Sequence, residues 1–94
     1  MKGLHDNKFG HVVKVILYLL NSKNSPTVSE IIEETGIPSS TFYYTLKKAL
    51  EEAGWVEFRV NPDRTITAHL TQKGRKVAEA LATIEDILKE AGVV

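Results

Sequence analysis

The sequence predicts an α+β domain, mainly helical, with one β-hairpin set between its third and last helices. Three observations predict it. Apolar residues recur at spacings of three and four along four segments. The period drops to two on either side of a turn written Asn61-Pro62-Asp63-Arg64. Two glycines, Gly36 and Gly54, stand where helical patterns stop and a left-handed residue ends a helix. Ninety-four residues make one small domain, and 43% apolar with 26% charged residues is an ordinary composition for a folded chain.

The first helix is expected over Phe9 to Leu20. Val12, Val13, Val15, Ile16, Leu17, Leu19 and Leu20 make it apolar almost all round. Such a helix must be covered on more than one side, which a chain this short does poorly alone; a partner subunit is expected. Asn21 to Pro26 is turn chemistry. Thr27-Val28-Ser29-Glu30 is a capping box, and the helix it opens, Val28 to Thr35, should bury Val28, Ile31 and Ile32 before Gly36 ends it.

Ile37-Pro38 forces an extended backbone and permits a new helix at once, over Ser39 to Ala53. Phe42, Leu46, Ala49, Leu50 and Ala53 form its buried stripe, so Ser39, Ser40, Tyr43, Tyr44, Lys47 and Lys48 should face outward. In the hairpin, Val56, Phe58 and Val60, then Ile66, Ala68 and Leu70, alternate with Glu57 and Arg59, then Thr65, Thr67 and His69. His69 is expected on the outer, solvent-exposed face. Thr71 or Gln72 opens the last helix, which runs to about Ala91 and is roughly 30 Å long at ~1.5 Å per residue. Val77, Leu81, Ile84, Leu88 and Ala91 follow one another in it at four, three, four and three, a short heptad seam.

The composition excludes several classes. Without cysteine there are no disulfides, thiolate nucleophiles or thiolate metal sites. The opening residues lack the apolar stretch of a signal peptide, and residues 12–20 are too short to span a bilayer; a cytoplasmic protein is expected. No Gly-rich phosphate loop, nucleophile–base pair or carboxylate dyad is present, so neither catalysis nor a cofactor is expected. His5 and His11 have no third ligand at regular spacing, and no metal site is expected. Twelve Lys and Arg balance twelve Asp and Glu. Zero net charge weighs against a strong non-specific nucleic-acid binder, but the two signs are segregated. Ser39 to Leu50 holds two lysines and no acid, and Lys73 to Lys76 carries three cations. The acids gather at Glu30, Glu33 and Glu34 and again at Glu79, Glu85, Asp86 and Glu90.

The order helix, short helix, tight turn, helix, hairpin, helix resembles the winged helix-turn-helix of small DNA-binding regulators of the MarR/ArsR type. The resemblance covers residues 9–91 and rests on TVSEIIEETGIPSSTFYYTLKKALEEAGWVEF, the hairpin, and LTQKGRKVAEAL. Pro38, where such families often place a serine cap, is a departure. The resemblance implies a recognition helix, Ser39 to Ala53, in the major groove of double-stranded DNA. Ser39, Ser40 and Thr41 would take phosphate, Tyr43 and Tyr44 would contact bases, Lys47 and Lys48 would take phosphate, and Arg59 and Arg64 on the wing would reach the flanking backbone or minor groove.

A homodimer is expected, with Val13, Leu17, Val77, Leu81, Ile84 and Leu88 at its interface. Residues 8–70 would be the DNA-binding core and wing, and residues 71–91 the dimerisation helix, of a single 1–94 domain. No separate effector domain is visible; the sequence leaves open whether a small-molecule effector exists, with the dimer interface as a place where one could lodge. The alternative expectation is a winged-helix module that binds another protein through Tyr43 and Tyr44.

Overall fold

A computed structural model describes residues 8–93 of the chain; His5 lies outside them. Three helices, a hairpin and a fourth helix follow in order. Helix α1 is Lys8–Asn21 and α2 is Val28–Thr35. Helix α3 runs continuously through an α-helical Ser39–Thr41, a π-helical Phe42–Leu46 and an α-helical Lys47–Ala53. Strands β1, Val56–Val60, and β2, Ile66–Leu70, pair antiparallel, and α4 is Gln72–Glu90.

The ends of these elements are set by local chemistry. The Thr27 side chain accepts from the Glu30 N–H at 3.1 Å while the Glu30 carboxylate accepts from the Thr27 N–H at 2.8 Å. This reciprocal cap contributes on the order of 1 kcal/mol. Gly36 and Gly54 end α2 and α3 in the left-handed region, with φ of 74° and 77°. Thr71 caps α4 by accepting from the Gly74 N–H at 2.9 Å.

One core joins every element: Val15, Ile16 and Leu19 of α1, Val28 and Ile31 of α2, Ile37 of the turn, Phe42, Leu46 and Leu50 of α3, Val56 and Ala68 of the hairpin, and Ala78 of α4. The loop before α2 extends the sheet. Thr27 bridges Thr67, and the Ala68 N–H donates to the Pro26 carbonyl at 2.9 Å. The base of the hairpin is thereby held between β1 and the entry to α2.

Three expectations need correction. Val60 does not join the core but is 75% exposed, although its cross-strand partner Ile66 packs against the core. His69 is half-buried: its Nδ1 lies 2.7 Å from Ser25 Oγ and its Nε2 2.9 Å from Thr67 Oγ1. The Pro26 and Thr27 segment, lying alongside β2, carries Ser25 to that ring. Lys47 is half-buried rather than outward, for a reason that belongs to the surface it serves.

Candidate nucleic-acid interface

Helix α3 holds out the residues on which recognition is expected to rest, and a π-helical turn lies among them. Its apolar residues Phe42, Leu46 and Leu50 are four apart and all fully buried. In an α-helix each four-residue step overshoots a full turn by about 40°, so two steps would carry Leu50 well round from Phe42. The π-helical turn widens the first step. The Lys47 N–H bonds to the Phe42 carbonyl, five residues back, and Leu46 falls more nearly in line with Phe42. Tyr43, Tyr44 and Thr45 lie on the widened turn and are exposed, Tyr44 to 84% and Tyr43 to 44%.

Tyr43 is the more constrained of the two rings. It stands edge-on to Phe42, with ring centroids 5.9 Å apart at 85°. It also borders a cleft shared with Thr27, Val28 and Ser29 at the start of α2 and Arg64, Thr65 and Ile66 of the wing. The start of α2, the exposed side of α3 and the wing tip therefore converge on one surface. Ser39 and Ser40 are exposed at the start of α3 and Thr41 is half-buried, and Pro38 supplies no side-chain cap there.

The cations are less free than their positions in the sequence suggest. Lys47 Nζ lies 5.1 Å from the centre of the Phe58 ring of β1 and 3.5 Å from Glu51, which is why the side chain lies back against the hairpin. Lys48 lies 4.0 Å from Glu52. Arg59 is held by Glu57 through two contacts, the shorter at 2.7 Å. Among the described residues Arg64 has no acid within ion-pair distance, and it stands at the wing tip with φ of 72°. The tip is closed by its own hydrogen bonds: Arg64 N–H donates to the Asn61 carbonyl, and Asp63 accepts from both the hydroxyl and the N–H of Thr65 at 2.6 and 3.0 Å. Those bonds, the hydroxyl's first, hold the Asp63 carboxyl below its usual range. At the other end of β2, burial holds the His69 imidazole below its usual range; Arg59 acts in the same direction and Glu57 against it.

A second surface lies between α1 and α4. Two adjoining apolar cavities, of about 440 and 280 Å³, share Phe9, Val13 and Leu81 in their walls. All six residues expected at a subunit interface line them: Val13, Leu17, Val77, Leu81, Ile84 and Leu88. Ile84 is 52% exposed and Leu88 37%.

Several contributors were not foreseen. Thr27 and Ser29 enter the cleft because the capping box that starts α2 also aims it at α3; the box marks a helix start but not its direction. Ordinary helical spacing does not make Thr45 prominent. Glu51 and Glu52 follow the two lysines at i+4, a signal that was there to be read. Among the described residues no group of three His, Asp or Glu could hold a metal ion, and no helix is long and apolar enough to cross a membrane.

A family model of ArnR1-like winged-helix domains matches residues 3–88. A protein from Archaeoglobus fulgidus of known structure is 31% identical, with 93% of each chain covered and a TM-score of 0.72. MepR, a transcription regulator of the Staphylococcus aureus multidrug efflux pump MepA, is 22% identical with a TM-score of 0.77, over 93% of this chain and 67% of its own. A Bacillus cereus protein described as a MarR-like transcription regulator is 26% identical with a TM-score of 0.67, over 84% of this chain and 58% of its own. No curated protein matches in sequence.

Proposed function

The chain belongs to the ArnR1-like winged-helix domain family, and on that premise we propose that it regulates transcription by binding double-stranded DNA as a homodimer. The observation that carries this reading is the convergence of exposed Tyr43 and Tyr44, the start of α2 and the Arg64 wing tip on one surface. Helix α3 enters the major groove, which is about wide enough for one helix, and its tyrosines contact base edges and thymine methyls. Ser39, Ser40 and Thr41 take phosphate at its start. Lys47 and Lys48 grip the backbone by exchanging their glutamates for phosphate, and Arg59 and Arg64 contact the flanking backbone or minor groove. Residues 8–70 form the reading unit, and residues 71–91 join two copies through Val13, Leu17, Val77, Leu81, Ile84 and Leu88. Two-fold symmetry then sets the two α3 helices into successive major grooves about 34 Å apart, on a pseudo-palindromic site.

The test is selection of the full chain against duplexes with a randomised centre, followed by fluorescence anisotropy of the selected duplex at two salt concentrations. Enrichment of a two-half-site duplex is expected. Tyr44→Ala should lower preference for it by roughly 1–3 kcal/mol if that ring reads a base. Absence of enrichment and of salt-dependent retention on DNA would overturn the reading. One observation favours a second function in that event. Three of the four expected phosphate-binding cations already have carboxylate partners, while Tyr44 stands bare, and such a face suits an anchor for a protein partner.

A further inference from the structure

A polar cleft of about 180 Å³ lies where the α1–α2 loop, the end of β2 and the first turns of α4 meet. Lys23, Ser25, His69 and Arg75 line it, and no described acid does. A cleft lined by one sign of charge focuses its field on an anion that enters. Arg75 has an ordinary i,i+4 partner one turn along α4 in Glu79. Among the described residues, however, neither Arg75 nor Lys23 has an acid within ion-pair distance.

The His69 ring is fixed in the wall by a hydroxyl at each nitrogen, Ser25 Oγ at 2.7 Å from Nδ1 and Thr67 Oγ1 at 2.9 Å from Nε2. Neutral imidazole donates through one nitrogen and accepts at the other; protonated, it donates through both, and a hydroxyl accepts from either. The ring therefore takes up a proton without giving up a hydrogen bond. Its Nδ1–H then donates to Ser25 Oγ, which frees the exposed Ser25 O–H to donate into the cleft.

We propose that this cleft is a binding site for a small free oxyanion of the phosphate or sulfate class, held by Arg75, Lys23 and Ser25. The guanidinium fork matches two oxygens of such an anion, the Lys23 ammonium adds a point charge, and the Ser25 hydroxyl takes a third oxygen. Protonated His69 behind Ser25 adds a further positive charge; Arg59 of β1 opposes that charge and Glu57 favours it. The site lies apart from the wing tip, since His69 is five residues along β2 from Arg64, roughly 17 Å at about 3.3 Å per residue. The proposal does not rest on the DNA-binding reading, although it involves elements which that reading uses. The loop that forms one wall runs into Pro26 and Thr27, which lie against β2 and open α2.

The test titrates the full chain with sodium sulfate and with sodium phosphate, against sodium chloride at matched ionic strength, and follows the His69 ring and the Ser25 and Arg75 amides by NMR. Sulfate is the main probe because it stays a dianion throughout the range in which His69 titrates. Saturable shifts at these residues with both oxyanions and none with chloride are expected, and sulfate should bind more tightly as pH falls and His69 charges. Arg75→Gln should weaken sulfate binding at least about fivefold. Lys76→Gln, at a neighbouring exposed cation that does not line the cleft, should leave it unchanged. Both side chains are exposed, so both variants should melt with the wild type. His69→Gln should remove the pH dependence. Shifts that follow chloride as closely as sulfate would overturn the proposal. So would equal losses in Arg75→Gln and Lys76→Gln, which would reduce the effect to general charge attraction.

Discussion

The first half of α4 is sealed into the domain and the second half is bare, although one apolar spacing runs through both. At the sealed end Gly74 and Ala78 are buried. A side chain built on Gly74 would place its Cβ 1.9 Å from the Trp55 carbonyl oxygen. That carbonyl also accepts from the Thr71 N–H at 3.0 Å, and the Thr71 hydroxyl donates to the Gly54 carbonyl at 2.6 Å. Helix and strand meet there backbone to backbone. At the other end Ile84, Ile87 and Leu88 are all exposed, and no described residue fully covers them. A heptad-like spacing says which residues share a face. What meets that face is decided by small residues and capping bonds at one end and, on our proposal, by a second copy at the other.

The comparison breaks most visibly at its sealed end. Gly74→Ala must push α4 off Trp55, and it should cost about 3 kcal/mol of folding free energy by overpacking against backbone that has no rotamer to yield. Urea denaturation measures this directly; an unchanged midpoint would mean that α4 is not clamped where the structure puts it. The bare end should respond differently. Ile84→Asp should leave the circular dichroism spectrum of the subunit intact and halve the mass in sedimentation equilibrium, because burying an unpaired carboxylate across an interface costs several kcal/mol. An unchanged dimer would remove the groove from the interface, and a wild-type chain already monomeric would remove the dimer.

The smallest effect sharpens the sealed end further. His69 and Arg75 of α4 line one cleft with the α1–α2 loop, and His69 ties that loop to β2. Its pKa is lowered from 6.5 in the fold, first by burial. The unfolded chain therefore takes up the proton first as pH falls. Stability should be level well above pH 6.5, decline as pH drops through 6.5 towards the folded value, and level off below it. The change should be under about 1 kcal/mol for a half-buried group. Thermal midpoints at pH 7.5 and 5.5, compared between wild type and His69→Gln, should differ only in the wild type; a midpoint that rises on acidification would contradict the assignment.

The features legible in the sequence are those written in adjacent residues. The capping box at Thr27 and Glu30, the terminating glycines 36 and 54, and the change of period after Gly54 each act within a few positions, so element order and type followed from them. Features that depend on distant chain were hidden. Ser25 reaches His69 across 44 residues. Gly74 looks like a weak helix residue until Trp55 is seen against it. The spacing of Phe42 and Leu46 reads as an ordinary i,i+4 pair, and the π-helical turn between them is not written in it. The candidate surface was half legible for the same reason. Exposure of Tyr43 and Tyr44 follows from helical spacing, whereas the restraint on Lys47 comes from Phe58, on another element.

The carboxylates standing one turn beyond the lysines have a consequence for how such a regulator would find its site. Sequence-independent attraction to DNA arises from releasing the duplex's condensed counterions. Lys47, Lys48 and Arg59 each arrive with a counter-ion built into the protein, in Glu51, Glu52 and Glu57. Those glutamates cannot diffuse away when phosphate displaces them, and they remain beside the backbone as like charges. On the proposed function, residence on arbitrary sequence would then be brief and one-dimensional sliding short. The search would proceed by repeated encounters through solution, with long dwell reserved for duplexes whose bases engage the tyrosines.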